Sequence, residues 1–146
     1  MKMNKAEKGI YILSIRLKEQ KKISVGKLGE IEFKPGLYLY VGSAQGGLEY
    51  RIKRHLRKNK KLFWHIDYLR KEAEIEGVWI KKGRFNECAA VRKIQDSTCF
   101  STFPVKGFGS SDCKCLTHLF YSSKNNSGIR NFITRLGFKK SNIFEG

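Results

Sequence analysis

The sequence predicts one compact α/β domain over residues 1–146, and three observations lead there. A chain of 146 residues holds one hydrophobic core and not two. Hydrophobic residues at 40% and aromatics at 12% match folded globular proteins. Segments with period-two apolar alternation are interleaved with segments whose apolar residues recur every four positions, the two periodicities of strand and helix.

The elements follow in order. "KGIYILSIRL" alternates after Gly9, with Ile10, Ile12, Ser14 and Arg16 on one side and Tyr11, Leu13, Ile15 and Leu17 on the other. It reads as a strand with one dry face. "KEQKK" reads as a turn, and "ISVGKLGEIEF" as two short strands broken by Gly26 and Gly29, a hairpin. "KPG" at 34–36 suits a type II turn, after which "LYLYVG" reads as a central strand. Gly46 and Gly47 open a helix in which Leu48, Ile52 and Leu56 recur at intervals of four. "LFWHIDYLRKEA" is a second helix and "EIEGVWIKK" a further strand. Asn86 is a good N-cap for a helix over "FNECAAVRKIQ". "LTHLFYS" reads as a strand and "SGIRNFITRLG" as a closing helix stopped by Gly137. No repeat or linker interrupts them.

Thirty Lys and Arg against thirteen Asp and Glu give a formal net charge of +17. For a domain this small, the usual partner of such charge is a polyanion, above all nucleic acid. No basic amphipathic anchor and no apolar run near the ~20 residues of a membrane span is present. The N-terminal "MKMNKAEKGIYIL" makes a poor signal peptide because charge returns at Arg16. The chain therefore reads as cytoplasmic. Cys88, Cys99, Cys113 and Cys115 are then expected to be reduced thiols. "CKCLTH" raises the question of zinc, with the fourth ligand to come from Cys88 or Cys99. The spacing is not C-x2-C, and the reading favours ordinary buried thiols and a satisfied His118 over structural zinc. The "NNS" at residues 125–127 matches a glycosylation acceptor only by chance in such a chain.

Five features exceed what a plain core requires. Tyr11 and Tyr40 are each bracketed by glycine on a strand, and pairing of those strands would bring the phenols together, although strand tyrosines also simply pack. Arg51 borders the apolar stripe of its helix, where a guanidinium is costly unless it meets an anion such as phosphate. Glu87 follows the N-cap and points to the apolar side of its helix, a carboxylate suited to a hard divalent cation. His55 and His65 fit either a structural or a supporting catalytic role. Lys53, Arg54, Arg57, Lys58, Lys60 and Lys61 extend the positive charge and read as a phosphate-binding face.

With those residues in order, the sequence resembles the GIY-YIG nuclease family. The first motif stands as Gly9-Ile10-Tyr11 and the second as Tyr40-Val41-Gly42. "YVGSA…RIKRHL" resembles the family's second strand and first helix, with Arg51 at its essential arginine and His55 at its helical histidine. "NECAAVRKI" resembles the helix of the metal-binding glutamate, which matches Glu87. "FWHIDYL" and "GFGSSDCKCLTHLFY" resemble the small Uri-type branch, found alone or fused to DNA-repair enzymes. The interval between the motifs is longer than usual, Ser43 stands where some members carry a lysine, and the family's late asparagine has no assigned position.

The resemblance implies a GIY-YIG-like α/β domain with a small, mainly antiparallel central sheet flanked by helices. It also implies a Mg2+-dependent DNA endonuclease, with Mn2+ able to substitute and Glu87 holding the metal. Tyr11 would serve as base, Tyr40 as its orienting partner and Arg51 as phosphate clamp. DNA is the implied partner, with a DNA-repair protein a possible second one and a monomer the default. The alternatives are a non-catalytic nucleic-acid-binding module of the same fold and a zinc-stabilised RNA-binding domain.

Overall fold

The computed structural model describes residues 7–97, 100–102, 107–110, 113, 115–122 and 128–141. Cys99 and the 125–127 acceptor match lie outside these residues. Two nine-residue strands, β1 (Gly9–Leu17) and β4 (Gly36–Ala44), pair antiparallel along their whole length. On its other side β1 pairs antiparallel with β5 (Glu74–Lys82), with one irregularity between Ser14 and Ile15. The short strands β6 (Ser101–Thr102), β7 (Leu119–Ser122) and β8 (Lys139–Lys140) complete a six-stranded sheet in the order β6-β7-β4-β1-β5-β8. Every pairing in it is antiparallel. The expected hairpin forms separately, from β2 (Lys21–Ser24) and β3 (Glu30–Phe33). Lys21 and Lys22, read as turn residues, thus belong to a strand.

Among the described residues four α-helices cover the sheet: α1 (Leu48–Leu56), α2 (His65–Glu72), α3 (Glu87–Gln95) and α4 (Gly128–Arg135). Leu48 and Ile52 of α1 and Ile66 and Leu69 of α2 pack with Tyr11, Leu13, Ile15, Tyr38 and Tyr40. On the opposite face Ala90, Val91 and Ile94 of α3 and Ile129 and Ile133 of α4 pack with Ile10, Ile12, Leu37, Leu39 and Val41. The sheet is therefore the middle of three layers. This corrects the expectation of one dry face for β1. Its first five residues are all buried, because helices close both faces and Ser14 and Arg16 fall only at its far end.

The β4 strand has an incomplete neighbour, and this places the site. The β7 strand pairs with it only from Leu37 to Tyr40. Beyond Tyr40 the backbone edge of β4 is met by side chains and single bonds. Val41 N–H donates to the His118 carbonyl at 3.1 Å, and His118 Nδ1 returns a bond of 3.1 Å to the Val41 carbonyl. Arg51 donates to the Ser43 carbonyl at 2.8 Å. A buried strand edge must be paired or capped, and here its caps are the side chains of His118 and Arg51.

Candidate active site

Both motif glycines are sites of close approach. A Cβ on Gly42 would lie 2.5 Å from the Tyr11 ring and hydroxyl, so the phenol crosses directly over this glycine, its register partner. A Cβ on Gly9 would lie 2.6 Å from the Lys81 carbonyl and 3.0 Å from Leu48. Gly9 therefore lets β5 and α1 close on β1. With Gly42 opposite Tyr11, Tyr40 is its diagonal neighbour on the same sheet face. Tyr40 also meets Phe108 and His55 edge-on, at centroid distances of 6.5 and 6.2 Å.

The helix α1 docks through Leu48 and Ile52, and this aims Arg51 and His55 at the two phenols. His55 is fully buried, and its Nε2 lies 2.6 Å from the Tyr11 hydroxyl. Its Nδ1 has no hydrogen-bond partner among the described residues. Burial, reinforced by the charge of Lys60, pushes its pKa down to about 3, so His55 is neutral at neutral pH. Tyr11 is shifted the other way: burial holds its proton most strongly, with Tyr40 and Glu87 adding to this and Arg51 opposing it. Burial likewise raises Tyr40, with Glu87 adding and Arg51 opposing. The resting pair is thus a phenol and a neutral imidazole sharing one short hydrogen bond.

The fourth member is placed by contacts. Tyr11 lies over Gly42, Arg51 donates to the Ser43 carbonyl, and Glu87 lies 3.7 Å from His118 Nδ1, which meets the Val41 carbonyl, so Tyr11, Arg51 and Glu87 each reach the stretch of β4 that Tyr40 begins. Glu87 opens α3, which Asn86 caps by accepting from Cys88 N–H at 2.8 Å. Its carboxylate lies 3.7 Å from His118 Nδ1 and is about 29% exposed. No hydrogen bond among the described residues engages it. A partly exposed carboxylate offers hard oxygen donors, which could hold a divalent cation such as Mg2+.

The six cations expected to hold DNA separate into groups. Arg54 makes two 3.0 Å hydrogen bonds to the fully buried Asp67, lies 4.2 Å over the Trp64 ring and donates to the Lys61 carbonyl. Burial alone would raise the Asp67 carboxyl. The bonds from Arg54 and from the Phe63 and Trp64 N–H groups outweigh this and hold it below the usual carboxylate range. Lys60 caps the end of α1, donating to the Arg54 and His55 carbonyls at 2.9 Å. Lys53 pairs with Glu49, and Lys58 with Glu74, at the surface. Arg57 and Lys61 are exposed. The first two belong to the scaffold, and the other four remain at the surface.

Sequence reasoning missed two participants. Trp64 carries Arg51 at 4.6 Å from its ring centroid as well as Arg54, so it positions both guanidiniums. The sequence reads Trp64 as part of the second helix, whereas it is the N-cap of α2, and nothing at that position signals the role. His118 was read only with the cysteines, yet it also binds Val41 of the second motif and approaches Glu87. His65 accepts from Gly109 N–H at 2.9 Å, a structural role that fixes the 107–110 loop near Tyr40.

No curated protein and no solved structure matches the chain. A family model described as a domain of unknown function, DUF123, matches residues 10–138. That span includes Tyr11, Tyr40, Arg51, Glu87 and His118 and reaches the residue before β8. The chain is a member of the DUF123 family.

Proposed function

We propose that this protein is a Mg2+-dependent endonuclease that hydrolyses DNA phosphodiester bonds with structural or weak sequence selectivity. What supports the reading is that Tyr11, Arg51 and Glu87 each reach the stretch of β4 that Tyr40 begins, directly or through His118, in a chain of net charge +17. Charge alone would suit any binder of nucleic acid. A carboxylate kept beside two phenols and an arginine is of no use to a binder, since it repels phosphate, but suits a cation-assisted hydrolase.

Glu87 would hold the cation, which supplies charge neutralisation at the scissile phosphate and at the leaving oxygen. Arg51, anchored by one N–H on the Ser43 carbonyl and by the face of Trp64, presents its remaining donors to a phosphoryl oxygen. Tyr11 would receive the proton of the attacking water on its oxygen while its own proton passes to His55 Nε2, and the imidazolium, which burial disfavours, would then give that proton up to solvent. The water oxygen bonds phosphorus, the bond to the leaving oxygen breaks, and solvent supplies that oxygen's proton. Tyr40 lines the site beside Tyr11 and orients the water.

The test is incubation with supercoiled plasmid and with flap or branched DNA in Mg2+, Mn2+ or EDTA. Nicked or linear product is expected with either metal and none with EDTA. Arg51→Ala is expected to lower the rate by about a hundredfold or more. Glu87→Gln is expected to leave no more cutting than EDTA does. Cutting by Glu87→Gln at the wild-type rate would sink the reading. One observation favours a second reading, a module that binds DNA without cutting it: burial keeps both phenols firmly protonated. Binding without product under every metal condition would select that reading.

A further inference from the structure

We propose that Cys88, Cys113, Cys115 and His118 bind a structural zinc ion, a second metal centre distinct from the Glu87 carboxylate. The sulfurs of the three cysteines and one ring nitrogen of His118 all lie within 4.8 Å of one another. Tetrahedral zinc, at ~2.3 Å from sulfur and ~2.0 Å from nitrogen, holds its ligands about 3.5–4 Å apart. The four groups thus need only a small contraction to close on an ion. The Cys113 sulfur already lies 3.2 Å from His118 Nε2. All three cysteines are free thiols.

The orientation of the histidine is the strongest part of the argument. His118 is almost wholly buried, and its Nδ1 faces the Val41 carbonyl at 3.1 Å. A carbonyl only accepts, so Nδ1 carries the hydrogen and the neutral ring offers its lone pair at Nε2, toward the thiols. A histidine that ligates through one nitrogen and donates the other N–H to a backbone carbonyl is the usual arrangement at a metal. Three sulfurs and one nitrogen form a soft, closed set, which selects zinc over the hard cation suited to Glu87.

The ligands come from separated elements, which gives the ion something to hold. Cys88 lies in the first turn of α3, while the other three belong to the segment between residues 107 and 118. Its described residues are joined by bonds from Gly107 N–H to the Leu116 carbonyl and from His118 N–H to the Phe108 carbonyl, both 2.8 Å. Zinc would tie it to α3 next to Glu87, with His118 passing the tie to Val41. The C-x-C spacing argues against zinc in the sequence, which leaves Cys88 or Cys99 as the fourth ligand. Cys88 sits 25 residues before Cys113, as counted from their numbers, and the fold brings it to the other three.

The proposal does not depend on nuclease activity, and its readout is the metal itself. The full chain, purified without a histidine tag under reducing conditions, is expected to contain one zinc per chain by elemental analysis. Replacing zinc with Co2+ is expected to give the visible bands of tetrahedral cobalt and a thiolate charge-transfer band. Cys88→Ser and Cys115→Ser are each expected to weaken metal binding by about tenfold or more. His118→Cys, which keeps four ligands, is expected to retain one metal with a shifted cobalt spectrum. A folded, reduced wild-type chain that takes up neither added Zn2+ nor Co2+ overturns the proposal. So does metal binding that survives Cys88→Ser and is lost in Cys99→Ser.

Discussion

At the scale of single residues, the burial of His55 makes a stability prediction apart from catalysis. In the unfolded chain its imidazole takes up a proton near pH 6.5. In the folded protein it stays neutral until about pH 3. Between these values the unfolded state binds more protons, so stability is fully present above about pH 6.5 and is lost as pH falls toward 3. The full slope for one such group is about 1.4 kcal/mol per pH unit. Urea unfolding at several pH values between 7 and 4 should show this loss, and His55→Gln should reduce its slope. A slope unchanged in His55→Gln would mean that the imidazole titrates normally in the folded state. Asp67, whose carboxyl is held low, adds loss of the same sign only at lower pH, so the comparison with His55→Gln isolates the histidine.

At the scale of elements, α1 and α2 are latched together by charge. Arg54 forks onto Asp67, and Arg70 donates to the His55, Leu56 and Ala73 carbonyls at the ends of both helices. Removing one partner of a buried pair leaves the other uncompensated. Arg54→Ala is therefore expected to cost about 3 kcal/mol, against under ~0.5 kcal/mol for Lys53→Ala, whose i,i+4 partner is Glu49 at the surface. Urea midpoints of the two variants decide this, and equal midpoints would show that the latch is idle. The same pair marks the limit of the sequence. Apolar periodicity located α1, α2, α3 and β5 because it is a property of neighbouring residues. The partner of Arg54 is 13 residues away across a loop, and charge composition does not separate a cation that grips a buried carboxylate from one that waits for phosphate. Motif order singled out Tyr11, Tyr40, Arg51 and Glu87 as one set. It gave no hint of Trp64 beneath Arg51 or of the Tyr11–His55 bond, because those depend on how α1 and α2 dock on the sheet.

At the scale of the whole molecule, the formal charge of +17 overstates what the proposed DNA substrate could use. Several cations are spent inside the fold: Arg54 on Asp67, Lys60 on the end of α1, and Arg70 on three carbonyls. Those with most to offer a backbone are the surface ones near α1, Arg57 and Lys61, with Lys53 and Lys58 held only in exposed pairs that salt screens. Each phosphate contact releases condensed counterions, and the logarithm of the binding constant falls with the logarithm of salt by about 0.9 per contact on duplex DNA. Titration of the protein with duplex DNA over a series of salt concentrations therefore counts contacts without any need for cutting. Arg57→Ala and Lys61→Ala are each expected to weaken binding on every sequence tested and to reduce the slope by about one. A slope that stays at the wild-type value in both variants would place the DNA on another face of the molecule. The convergent phenols, arginine and carboxylate would then be a site without an approach, and the nuclease reading would lose its substrate even if the four residues stand where they do.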